Sequence, residues 1–276
     1  MRSSTGGEPV SMLKTHRIYS YLALVLLLVF LWQPRPSLDA FAGAGPETHF
    51  SITRQALKDF AADRDIAISP LCGDMIRQFS VISDSGGYAK DFTLHCDNDR
   101  LADCSYRLDE LRFQAVHAVE LTSSLRNMGM ALHLIQDFYA HSNWVENAGF
   151  SMLLAPIEAF SWLPPPANLQ TGLYPEYVSP PSLQLDCYLF PVEDWGLRIH
   201  GATHGCMNKD SERQFRGITV VPGSLGITYH RLAAEYAKLH SVEFLNEMAK
   251  ANPWFKTCFR PPYVGGVDCS GGVLNL

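Results

Sequence analysis

MGMALHLIQDFYAHSNWVEN, residues 128–147, is the stretch on which the reading of this chain turns. Met130, Ala131, Leu132, Leu134, Ile135, Phe138, Tyr139 and Ala140 make it apolar on most sides of a helix, and such a helix normally lies in a core. Within it His133, Asp137 and His141 recur at intervals of four, so their side chains share one stripe. An ionised Asp in such surroundings without partners costs several kcal/mol. A divalent cation removes that cost, and imidazole with carboxylate is a donor set that suits zinc. The plain alternative is a helix end whose histidines hydrogen-bond to neighbours; three ligand types in register favour metal. At about 1.5 Å per residue the stripe is roughly 12 Å long, too far for one ion. Two or more ions are therefore expected, His133 and Asp137 sharing one and His141 serving another.

Working outward, helical periodicity runs almost unbroken from Arg107 to Trp144, with a joint expected at Asn127-Met128-Gly129. Further helices are expected from Thr48 onward, with Ile52, Ala56, Leu57, Phe60 and Ala61 on one face, over Asp74–Ile82, and over Ser224–Ala249. Residues 149–223 read differently. Eight of the 17 prolines fall in Pro156–Pro191, alongside Trp162, Tyr174, Tyr177 and Tyr188, with Trp195 just beyond. This is an irregular aromatic insertion, read as a lid or rim over the site. Strand signals are sparse, so the fold class is all-α: a single multi-helix domain over residues 41–276.

Residues 1–40 read as a signal peptide. The apolar run Ile18–Trp32 follows Arg2, Lys14 and Arg17 and precedes Ala40, Ala42 and Ala44. Fifteen helical residues give about 22 Å, short of a ~30 Å hydrocarbon core, so cleavage and secretion are expected. An uncleaved signal would anchor the chain in a membrane through residues 18–32. Removing residues 1–40 leaves 18 basic and 26 acidic residues, a formal charge of −8. That surface does not favour double-stranded nucleic acid or anionic lipid. All seven cysteines lie beyond the signal, and an exported chain would oxidise most of them. Cys258 with Cys269 is one expected pair, and Cys96 with either Cys104 or Cys72 is another. No CxxC pair suggests zinc thiolates.

Residues 128–147 also resemble the histidine–aspartate–histidine helix of the fungal heterokaryon-incompatibility C (Het-C) family, which is related to zinc-dependent phospholipases C and S1/P1 nucleases. The resemblance continues in THFSITRQAL (residues 48–57), HCDND (95–99), HGCMNKDS (204–211) and HRLAAEYAKLHSVEFL (230–245). It implies one zinc held by Asp84, His95, His133 and Asp137, and a second using His49 with Asp137 as a bridge. A third would use His141 and His230. The Glu that family places one turn after the latter is Ala234 here, with Glu146, Glu235 or Asp210 able to stand in.

The function implied by the resemblance is a secreted phosphodiesterase acting on a phospholipid headgroup at a membrane surface, with Asp84 orienting or deprotonating a zinc-held water. The alternatives are a zinc nuclease and a non-catalytic recognition or incompatibility protein with structural zinc. Of the other histidines, His117 and His240 read as packing residues. His200 and His204, four apart among glycines, read as a loop rather than a ligand pair. Asn143 and Trp144 are placed to support the ligands from behind.

Overall fold

The computed structural model describes residues 47–173 and 204–262. Helix α1 (His49–Asp63) begins where Thr48 Oγ1 accepts from the Ser51 N–H and the Thr48 N–H donates to Ser51 Oγ. That exchange satisfies two amides that helix geometry leaves without partners. Helix α2 (Pro70–Ile82) opens with a proline in its first turn, where no N–H is needed. Helices α3 (Leu101–Val116), α4 (Leu121–His141) and the short α5 (Trp144–Ala148) follow. After the insertion come the short α6 (His204–Met207) and α7 (Phe215–Ile218), then α8 (Tyr229–Ala251) and α9 (Pro253–Lys256). Two-residue strands β1 (Ala67–Ile68) and β2 (Phe259–Arg260) pair antiparallel. The all-α expectation holds.

Helix α4 is the axis of the bundle. It packs against α2, α3 and α8, while α1 closes the gap between α2 and α8. Every residue from Met128 to His141 is buried. Leu132, Leu134, Ile135 and Phe138 are fully inside, each burial worth about 1.5–3 kcal/mol. Tyr139 stacks on Tyr236 of α8 at 5.4 Å between ring centroids.

The helix joint lies elsewhere than expected. Residues 117–120 separate α3 from α4, and α4 runs straight through Asn127-Met128-Gly129. Gly129 is needed for proximity, not for a bend: a Cβ there would lie 2.5 Å from Phe79 Cβ and 2.8 Å from the Ile76 carbonyl oxygen on α2. Helix α8 starts at Tyr229, later than periodicity suggested, because Thr228 caps it after pairing with Val220 across a tight turn. Helix α2 starts four residues earlier than expected, at Pro70.

The described ends of the insertion contribute to the core, since Ala155, Ile157, Phe160 and Leu169 are buried. Tyr174, Tyr177, Tyr188, Trp195 and His200 lie outside the described residues, as do residues 1–40 with their expected signal and Ile18–Trp32 anchor. Among the described residues no helix is long and apolar enough to cross a membrane.

The cysteine pairing corrects one expectation and meets another. Cys258 bonds Cys72 rather than Cys269, with Cα atoms 5.9 Å apart. The β1–β2 pairing and the Ser69 N–H donating to the Cys258 carbonyl bring the end of α9 against the start of α2. Cys96 bonds Cys104. By loop-closure entropy the 186-residue separation of the first bridge makes it worth about 5 kcal/mol, against roughly 2.5 for the eight-residue separation of the second.

Two outcomes follow for stability. Gly129→Ala should cost about 1–3 kcal/mol by forcing α4 off α2, a midpoint shift read in a denaturant titration. The double substitution Cys72→Ser/Cys258→Ser should lower the melting temperature by roughly 10 °C or more, measured by circular dichroism.

Candidate metal centre

The α4 stripe is buried, and its carboxylate is surrounded by one imidazole of the same helix and two from other segments. Asp137 and His133 are fully buried, with His49 from α1 equally so. Asp137 Oδ2 lies 2.9 Å from His133 Nε2 and 2.7 Å from His95 Nδ1; Asp137 Oδ1 lies 3.0 Å from His49 Nε2. Asp84, in the turn after α2, places Oδ1 3.5 Å from His133 Nε2 and Oδ2 3.9 Å from His49 Nε2. Both carboxylates are thus divided in the same sense, one oxygen toward each side of the cluster. Neither oxygen of Asp84 has a hydrogen bond, and neither does Asp137 Oδ1.

The far side of each ring explains how it is held. His133 Nδ1 donates to the Ser80 carbonyl at 2.8 Å, across the contact that Gly129 permits. His49 Nδ1 donates to Gln136 Oε1 at 2.8 Å, and Gln136 Nε2 in turn donates to Thr53 Oγ1 and Ser241 Oγ. His95 turns Nε2 to the Tyr88 carbonyl at 3.3 Å. With the outer nitrogen of each ring protonated toward an acceptor, the inner nitrogen directs a lone pair at carboxylate oxygens. Such lone pairs need a shared proton or a cation between them.

The electrostatics show the protons competing for that place. Burial would push His95 down, but the hydrogen bond and charge of Asp137 carry it up to about 9. His49 is likewise raised despite burial, chiefly by the Asp137 charge. Burial would raise Asp137, yet the His133 and His49 charges hold it well below the usual carboxylate range. Asp84 moves up, because burial outweighs the neighbouring histidines.

A second cluster forms one turn along α4, around His141. Its Nδ1 lies 3.4 Å from Asp97 Oδ1 and its Nε2 3.1 Å from Asp210 Oδ1. His204 adds Nδ1 at 3.3 Å from the same Asp97 oxygen. All four residues are buried, and the second oxygens of Asp97 and Asp210 lack a hydrogen bond, as does His141 Nδ1. The two flanking carboxylates raise His141 well above its ordinary value, although burial opposes this. Asp97 is lowered by His141 and His204 despite its own burial.

The segment carrying Asp97 is strained. Cys96, Asn98 and Asp99 have φ of 52°, 64° and 54°, left-handed values that cost side-chain-bearing residues of order 1–3 kcal/mol each. The conformation is pinned by Asp99 and Thr171, which exchange hydrogen bonds of 2.6 and 2.9 Å, and by the Asn98 N–H to the Gly172 carbonyl. Gly172 admits no side chain, since a Cβ would lie 2.7 Å from His204 Cα.

Of the residues expected at the site, the structure gathers His49, Asp84, His95, His133 and Asp137 into one cluster and sets His141 in the other. His230 is in neither. Its Nδ1 meets the Lys209 carbonyl and its Nε2 faces Glu47 Oε2 at 3.2 Å. The carboxylate beside His141 is Asp210, one of the three stand-ins considered for the missing Glu, delivered by the turn at Asn208-Lys209-Asp210. Glu146 is occupied by Lys209 and Arg216, and Glu235 by Lys238. Asp97 was missed and His204 set aside as a loop residue. Only the match of HCDND and HGCMNKDS to one family hinted at either. Asn143 and Trp144 support the insertion, bonding to Asn168 and Gln170 and to Leu153.

Comparison with known proteins corrects the expected activity. The family model described as the VWA7 N-terminal domain matches residues 74–158, which include α3, α4 and α5. The von Willebrand factor A domain-containing protein 7 of Rattus norvegicus and that of Mus musculus are each 48% identical to this chain over 56 residues; that of Homo sapiens is 46% identical over 56. Each match covers 19% of this chain, which spans only 6% of the length of these relatives. No solved structure matches significantly. The matched residues contain the very helix from which a phospholipase C-like phosphodiesterase was expected. That activity, and the role of Asp84 as its base, are therefore set aside: over these residues the chain is similar to the N-terminal domain of VWA7.

Proposed function

We propose that this chain is a metal-binding helical module in which divalent ions, zinc by the nature of the donors, complete a buried polar core. The observation that carries the reading is Asp137, a fully buried carboxylate with one oxygen facing His49 and the other facing His95 and His133. His49, Asp84, His95, His133 and Asp137 would hold the first group of ions, with Asp137 as a bridge. Asp97, His141, His204 and Asp210 would hold another. Three imidazoles with two carboxylates, and two with two, are donor sets suited to zinc.

A bound cation would supply the positive charge that the orphaned oxygens of Asp84, Asp97, Asp137 and Asp210 lack. Closed sites of this kind contribute to folding, whereas catalytic ones keep a position open for water. The burial of nearly every donor favours the first role. Two disulfides among the described residues fit an exported chain.

Full-length protein purified with zinc in the medium should carry two to three ions per chain by plasma mass spectrometry. A strong chelator should lower its melting temperature by about 10 °C, the order set by ligand binding at a thousand times Kd. Asp137→Ala should lose the first group of ions and His141→Ala the second, each with a lower melting temperature. A wild-type chain without metal, whose melting temperature ignores the chelator, would overturn the proposal.

A further inference from the structure

His95, Cys96 and Asp97 are consecutive, and they serve three different structures. His95 Nδ1 reaches Asp137 in the first cluster at 2.7 Å. Asp97 Oδ1 reaches His141 and His204 in the second at 3.4 and 3.3 Å. Cys96 between them bonds Cys104 in the first turn of α3, and both sulfurs belong to fully buried residues. The far anchors, Asp137 and His141, are one turn apart on the same rigid helix. The segment 95–99 thus spans two adjacent rungs of α4 with hardly any backbone of its own to spare.

We infer that the Cys96–Cys104 disulfide is a positioning element for both metal centres, and that through residues 95–97 it makes them load as a unit. This rests on the proposed metal binding. Three left-handed non-glycine residues make the segment one that an untethered chain would leave. The bridge and the Asp99–Thr171 exchange keep it in place before an ion arrives. An ion on Asp97 then fixes the backbone that presents His95, and an ion on His95 fixes Asp97. Linkage makes that assistance reciprocal. Burial of both cysteines shields the bridge from exchange with thiols in the folded chain, so it acts as a fixed clamp. The other bridge, Cys72–Cys258, contains none of the proposed donors and lies outside residues 95–99, so it serves as the control.

The test measures zinc affinity by competition with a chromophoric chelator, at a temperature where circular dichroism shows every variant folded. Cys96→Ser/Cys104→Ser should weaken both centres tenfold or more. Cys72→Ser/Cys258→Ser should lower the melting temperature further yet leave both affinities within about twofold. A folded Cys96→Ser/Cys104→Ser protein that keeps either centre at wild-type affinity overturns the inference while leaving metal binding standing. Should that variant fail to fold, Asp97→Asn decides. Asp97 is not itself a donor of the first centre, although its charge reaches His95; the substitution should weaken that centre fivefold or more, and an unchanged first centre overturns the inference. A wild-type chain that binds no zinc fails the underlying metal reading instead.

Discussion

A carboxylate at the centre of an apolar helix bundle is the constraint from which most of this molecule follows. Asp137 has no solvent, and its charge would cost several kcal/mol if left alone. The chain answers with His133 one turn away on the same helix and with His49 and His95 brought from two other segments. Each comes with a defined outer acceptor, so that the inner nitrogen is aimed rather than merely near. Gly129 belongs to the same solution: by letting α2 approach α4 it delivers the Ser80 carbonyl that orients His133. Packing and electrostatics are here two aspects of one contact.

The second cluster is built from less regular material. Asp97, His204 and Asp210 come from loops or short turns, and they are held by backbone bonds between the 95–99 segment, residues 171–173 and residues 204–210. The cost of left-handed residues is carried where the ligands are, as is common where geometry matters more than local comfort. Lys209, fully buried and donating to the Ser142 and Met207 carbonyls, fastens this turn to the end of α4.

How much of this could be read beforehand depended on periodicity. His133, Asp137 and His141 were legible because a helix places every fourth residue on one face, and the burial of α4 was legible from its apolar residues. His49, Asp84 and His95 were reached through likeness to one family, and the structure brings them to Asp137. For His141 the resemblance offered His230, with Asp210 among the stand-ins for a missing Glu; nothing periodic singles out Asp210, because a reversal after α6 delivers it. The pairing of Cys258 with Cys72 was hidden for a similar reason. Two-residue strands leave almost no pattern, yet they set which cysteine meets which. The hydrolytic activity was inferred from likeness alone, and a better-supported likeness over the same helix displaced it.

The Cys72–Cys258 bond also has a mechanical meaning. It converts the chain from residue 72 to residue 258 into a closed covalent ring, so tension applied at the two ends would bypass everything inside that ring. Helices α3, α4 and α8 and the whole His141 cluster lie within it and would carry no load. Among the clustered side chains only His49, on α1, lies outside. A pull on the chain would act first on α1, which carries His49, the one clustered side chain on the loaded segment, so force would be felt at the first cluster before the second.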